Sequence, residues 1–195
     1  AKTLEVLDAL LVLDMKSDIK TSSQNNGALM LQALKEVAKT CHMRLRLSIL
    51  ADRSDSKKNI SKWFQEARKR SHSVLFFYFS GHGTKNHSGI PWPFIYFSRK
   101  NQLLDMKTIT ALVESMPARL SIVLSDCCNS AESVTSTEPR TKEALSFDQK
   151  KFTRGARKLF LHTRGHIRAT AATPGQFGVA TNKRSLFTLS FLLSL

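Results

Sequence analysis

Val74 to Thr84 reads VLFFYFSGHGT, and Leu120 to Ser130 reads LSIVLSDCCNS. Each is a short run of Val, Leu, Ile and Phe bounded by polar or turn residues, the pattern of a strand buried on both faces. Each ends in reactive side chains: His82 between two glycines in the first, Asp126, Cys127 and Cys128 in the second. Ligands of an open parallel sheet sit outside the carboxyl ends of its strands. Two neighbouring strands that finish this way bring an imidazole and a thiol to one rim.

The flanking sequence supplies the rest of such a sheet. Ala9 to Leu13 (ALLVL) predicts a first buried strand ending at Asp14, and Leu45 to Leu50 (LRLSIL) a second. Lys16 to Asn26 is dense in turn-forming residues and reads as a connection, with a helix from Ala28 to Lys39. Ser56 to Arg70 predicts a helix with Ile60, Trp63, Phe64 and Ala67 on one stripe. Lys85 to Asn101 reads as a hairpin-like excursion holding FIYF at Phe94 to Phe97, and Met106 to Ser115 as a helix closed by Pro117. Arg140 to Arg164 shows little apolar period and reads largely as a loop. HIRATAA at His166 to Ala172 predicts a fifth strand, and Ser185 to Leu195 a final apolar helix. Strand and helix alternate, so the class is α/β with a mainly parallel sheet and no second domain within residues 1–195.

A formal charge of +15 and a pI near 10.1 attract nucleic acid, anionic membrane or acidic partners. The cations are spread along the chain, without zinc-finger spacing or a glycine-aromatic RNA-binding signature, which disfavours specific nucleic-acid binding. Three cysteines, two of them adjacent, make no disulfide framework and suit a reducing compartment. The apolar run Ala9 to Leu13 is far shorter than the roughly 20 residues of a membrane span. Glu5 and Asp8 stand where a signal peptide carries positive charge. A cytoplasmic location follows as the expectation, and Ala1 in place of a start methionine suits an excised piece.

Side chains of an extended chain alternate faces. Asp126 and Cys128 therefore share a side and Cys127 takes the other; Ser80 and His82 pair off likewise. A nucleophilic thiol needs a base to hold it as thiolate, and a histidine serves and later protonates the leaving amine. Glycines beside His82 admit close backbone approach, and the Gly83 and Cys128 amides suit an oxyanion hole. Taken singly, a strand-end cysteine is a small hydrophobe, the reading kept for Cys127 and Cys41. His42, His72, His162 and His166 lack partner patterns and read as surface or strand-edge residues, and His87 as a solvated loop residue. Asp126 has the plainer alternative of a cap or ion pair.

SGHG at Ser80 to Gly83, followed by DCCNS at Asp126 to Ser130, resembles the caspase-like cysteine peptidases, closest to their metacaspase and paracaspase branch. His82 and Cys128 lie 46 positions apart, against the roughly 50 of that arrangement. An Asp two residues before the nucleophile is the metacaspase feature. The resemblance covers nearly the whole chain. It implies the caspase-hemoglobinase fold, a three-layer sandwich with helices on both faces of the sheet. Cys128 becomes the nucleophile, His82 the general base and acid, and Asp126, helped by Ser80, the pocket for an Arg or Lys before the scissile bond. A carboxylate meets a guanidinium in a bidentate, charge-assisted pair. The implied partner is a peptide or protein with that basic residue.

The chain departs from the pattern in two places. Relatives carry a second acid near the start of the first helix, where Asn25, Asn26 and Gly27 stand, and paracaspases another where Gln176 stands. The resemblance also divides the chain into a large-subunit-like part (1–137), a basic linker loop (138–165) and a small-subunit-like part (166–195). Lys150, Lys151, Arg154, Arg157 and Lys158 in that loop become candidate self-cleavage points, the alternative being an ordinary basic surface loop. No cofactor is required and no metal site is suggested. Some metacaspases need calcium, but no EF-hand loop is present, and Asp52, Asp55 and Asp105 are too scattered to nominate. Oligomeric state is open. Two other functions stay in view: a caspase-like regulatory module without turnover, and a basic adaptor for acidic partners.

Overall fold

Five parallel strands frame the computed structural model, which describes residues 4–51, 57–86, 90–97, 101–130, 149–179 and 184–195. Val6–Leu13 (β1) lies inside the sheet, with Arg44–Ala51 (β2) on one side and Val74–Ser80 (β3) on the other. Leu120–Asp126 (β7) pairs with β3, and Gly165–Thr170 (β8) closes the order β2-β1-β3-β7-β8. Every residue of β1, β3 and β7 is buried, which is why these three strands read as continuous apolar runs. The edge strands β2 and β8 are half-exposed and correspondingly more polar.

Alternation along the central strands feeds two cores. Leu7, Ala9, Leu11, Phe76, Tyr78, Ile122 and Leu124 face Lys20–Thr40 (α1), Gln149–Arg157 (α4) and Leu186–Ser194 (α5). Leu10, Val12, Leu75, Phe77, Phe79 and Val123 face Lys57–Arg68 (α2) and Met106–Glu114 (α3). Sheet between two helical layers is the three-layer sandwich expected. The predicted stripe of α2, Ile60, Trp63, Phe64 and Ala67, is buried as read. Asp105 caps α3 by accepting from the Lys107 amide at 2.8 Å. The excursion after β3 forms a separate antiparallel sheet of Gly83–Thr84 (β4), Phe94–Phe97 (β5) and Gln102–Asp105 (β6).

Two expectations fail, both where tertiary contacts outweigh local composition. Helix α1 begins at Lys20, inside the stretch read as a connection. Its Ser22, Ser23 and Asn26 are buried, and the Ser23 and Asn26 side chains meet main-chain and side-chain groups at the ends of β3 and β7. Polar residues that satisfy one another across elements leave no apolar period to read. The second failure is the loop at Arg140 to Arg164: residues 149–157 are α4, continued by a π-helical turn at Lys158–His162. Phe152, Ala156 and Phe160 sit four apart and are buried against the first core. Residues 131–148 lie outside the described residues.

His72, read as a surface or strand-edge residue, is buried just ahead of β3. It lies with Asp8, also buried, and with Arg70 and Arg46, whose nitrogens approach the Asp8 carboxylate to 3.4 and 3.9 Å. The Arg70 guanidinium also covers the Trp63 ring at 5.7 Å. Burial, above all, holds the His72 ring below its ordinary 6.5. The folded chain keeps the ring neutral while the unfolded chain takes up a proton below that pH. This stability is therefore fully present above pH 6.5 and is lost on acidification toward the depressed folded value. Burial raises Asp8, which acts in the opposite sense, relaxing a penalty as the carboxyl protonates. His72→Gln should flatten the fall of melting temperature between neutral pH and about pH 5, by about 2–4 °C. Melting curves across that range decide it; parallel pH profiles for wild type and variant would refute it.

Candidate active site

The site is assembled where β3 and β7 end. Their register pairs Ser80 with Asp126. Beyond the strands, two main-chain bonds keep the segments side by side: Gly81 N donates to Asp126 O at 3.2 Å, and Lys85 N to Ser130 O at 3.2 Å. His82 and Cys128 lie between these two bonds, on adjoining segments. A Cβ on Gly83 would stand 2.4 Å from the Cys128 carbonyl oxygen and 2.5 Å from the Cys127 sulfur. A Cβ on Gly81 would stand 2.7 Å from Asp14 Cβ and from the Phe79 ring. The glycines flanking His82 therefore serve the close approach of the protein's own segments.

The two cysteines have opposite environments. Cys127 is buried in the second core, its sulfur 3.1 Å from Ser125 Oγ, and burial pushes its thiol up to about 12. Cys128 is partly exposed. Cys41 is buried in the first core with its thiol raised by burial, as its reading as a small hydrophobe requires. Asn129 anchors the turn that follows Cys128. Its amide donates to Gln176 O at 3.0 Å, its carbonyl accepts from Gly175 N at 2.7 Å, and Nδ2 donates to Pro91 O at 2.9 Å.

Asp126 lies on the α1 and α5 side of the sheet, 7% exposed. Ser185 Oγ donates to its Oδ1 at 2.6 Å. Oδ2 accepts from Thr188 Oγ1 at 2.5 Å, Asn26 Nδ2 at 3.3 Å and Tyr78 OH at 3.4 Å. Ser80 Oγ joins the cluster by accepting from Asn26 Nδ2 at 3.3 Å. Ser185 is the N-cap of α5, accepting from Phe187 N, and its amide donates to Asn26 Oδ1 at 3.0 Å. All four donors to Asp126 are neutral, and burial, the chief cause, raises its carboxyl above the ordinary 3.8. Burial and the Asp126 charge likewise raise Tyr78, so it stays a protonated donor.

His82 is partly exposed at 31%, and its Nε2 lies 2.7 Å from Asp18 Oδ1. Asp18 precedes α1 and is itself 76% exposed.

The model of the caspase domain matches residues 22–195. The chain belongs to the caspase-domain family. No curated protein matches it. Among solved structures, caspase-1 from Spodoptera frugiperda matches over 97% of this chain and 68% of its own, with a TM-score of 0.55 and 12% identity. A protein of Geobacter sulfurreducens matches over 64% of this chain and 50% of its own, with a TM-score of 0.44 and 14% identity. The caspase-1 likeness is one of fold, and the fold is that of a caspase-like cysteine peptidase.

Within this caspase domain, the self-cleavage candidates stand differently from their sequence reading. Lys150, Lys151, Arg154 and Arg157 are on α4, and Lys158 opens the π-helical turn. Cleavage at any of these five would require this stretch, packed on the core, to unwind first. Gln176, standing where paracaspases carry an acid, lies in an exposed turn with its Oε1 accepting from Thr173 Oγ1 at 2.6 Å. Trp92 packs against the second core. His87, Asp52 and Asp55 lie outside the described residues. Among the described residues no group of three His, Cys, Asp or Glu is placed to hold a metal ion, and no helix is long and apolar enough to cross a membrane. Sequence reading missed Asp18, Ser185 and Thr188 as site residues, and marked Asn26 only among the residues standing where relatives carry an acid. The available signal for Ser185 was its cap position at the start of SLFTLSFLLSL; Asp18 and Thr188 carried none.

Proposed function

We propose that this caspase domain is a cysteine endopeptidase of the metacaspase and paracaspase type that cleaves after Arg or Lys. The supporting observation is the pair of main-chain bonds that bracket His82 and Cys128 on adjoining segments. In this reading His82 takes the Cys128 thiol proton as the sulfur attacks the scissile carbonyl. Negative charge gathers on the carbonyl oxygen, where the Gly83 and Cys128 amides donate to it. The carbon–nitrogen bond breaks, His82 gives the proton to the leaving amine, and an acyl-enzyme remains. Water then gives a proton to His82 and adds to the thioester, releasing the acid and the thiol.

The basic preference rests on Asp126. Four neutral donors satisfy its geometry but supply no countercharge, and burial makes the ionised form costly. A guanidinium or ammonium from the residue before the scissile bond supplies that charge, with Ser80 as a polar neighbour. Asn26, lying on this carboxylate where relatives carry an acid, leaves Asp126 to provide the pocket's charge.

Fluorogenic peptides ending in Arg, Lys or Asp, tested with and without calcium, decide the function. Turnover of the Arg and Lys peptides is the expected result. No turnover of any peptide, together with no labelling of Cys128 by a peptidyl alkylator, would leave a regulatory module in place of an enzyme.

A further inference from the structure

We infer that Asp18 is the positioning residue for His82, a third member of the machinery that extends the Cys–His reading above and rests on it. The carboxylate accepts from His82 Nε2 across 2.7 Å. A carboxylate accepts and does not donate, so this bond places the proton of a neutral ring on Nε2. Nδ1 is left as the unprotonated nitrogen, the atom free to take the Cys128 proton.

The segment carrying Asp18 is tied on both sides to a single point. The Ser80 carbonyl, two residues before His82, accepts from Asp14 N at 2.9 Å and from Ser23 Oγ at 2.8 Å. Asp14 and Ser23 are both buried and flank Asp18 in sequence. Between them, Lys20 N donates to Ser17 O at 3.1 Å, Ser23 N to Ile19 O at 2.9 Å, and Lys16 N to Asp14 Oδ1 at 3.1 Å. Asp18 is thus held at a set position relative to the chain entering Gly81 and His82. This also accounts for Ser23, a polar residue buried inside α1. The hydrogen bond from His82, its largest cause, holds the Asp18 carboxyl below its ordinary 3.8. The carboxylate therefore stays ionised, and the positioning is lost only as pH falls through that depressed value. At 76% exposure its charge is screened by water, so the role is orientation and tautomer choice more than field.

Asp18→Ala should lower kcat by about tenfold to a hundredfold, with KM within about twofold, since it disturbs the base and not the pocket. Asp18→Asn, whose amide oxygen still accepts from Nε2, should recover most of that loss. Independently of turnover, 15N spectra of the imidazole nitrogens in Cys128→Ala protein read the tautomer. With Asp18 present the neutral ring of His82, assigned with His82→Gln, is the Nε2–H form. With Asp18→Ala added it becomes a mixture. An unchanged kcat in Asp18→Ala, or an unchanged Nε2–H population, overturns the inference. If wild type cleaves no peptide at all, the peptidase reading fails, and the nitrogen spectra alone decide whether Asp18 positions His82.

Discussion

Cys128→Ala should reduce hydrolysis of an Arg peptide by at least about 10⁴-fold, while Cys127→Ala, one residue away, keeps activity within a few-fold. The contrast follows from strand parity. Cys127 points into the core with Phe79 and Val123, and burial pushes its thiol to about 12, so the reactive thiolate is essentially absent at neutral pH. Removing its sulfur costs packing, roughly 1 kcal/mol, and vacates space beside Gly83 without touching the reacting groups. Cys128 opens toward solvent on the segment that runs beside His82. Labelling with iodoacetamide, read by mass spectrometry, should modify Cys128 and spare Cys127 and Cys41 in the folded protein. A Cys127→Ala protein that loses turnover while Cys128→Ala keeps it would reverse the assignment.

What could be read from the sequence was whatever leaves a period or a pairing of motifs. β1, β3 and β7 are buried on both faces, and an uninterrupted apolar run is the trace of such burial. The stripe of α2 is legible for the same reason. SGHG and DCCNS each stand at the carboxyl end of a buried strand, so their order and spacing carry the site. The parts that escaped are polar groups satisfied by other polar groups. Ser23 bonds to Ser80 O, Asn26 to Asp126 and Ser80, and Thr188 to Asp126, contacts spanning 54 to 100 positions. Nothing local distinguishes such residues from solvated ones. Helix α4 is a different case. Its apolar spacing of Phe152, Ala156 and Phe160 was present, but five cations and Gly155 within the same stretch concealed it.

Asp126→Asn should lower kcat/KM for Arg and Lys peptides by about 10²–10³-fold relative to peptides with a neutral residue at that position. The size reflects loss of a charge-assisted pair in a site only 7% exposed, where water cannot stand in for the carboxylate. Stability should respond differently. Because burial raises the Asp126 carboxyl, the folded state prefers the protonated form. Its contribution is fully present below the ordinary 3.8 and is lost as pH rises through the raised folded value, leaving a penalty at neutral pH. Asparagine is isosteric and carries no such penalty. Its oxygen keeps the bond from Ser185, and its amide can donate to Thr188, whose hydroxyl also meets the Tyr78 hydroxyl at 2.6 Å and can turn, but the bond from Asn26 Nδ2 is given up. The variant should therefore melt close to wild type at neutral pH, the relieved burial penalty offsetting the lost Asn26 bond, while only wild type gains the Asp126 share of stability on acidification through the raised value. Selectivity lost with the melting temperature kept identifies Asp126 as the pocket's charge. An unchanged ratio of Arg to neutral turnover, in a variant that folds normally, would assign the carboxylate to holding the start of α5 against the sheet.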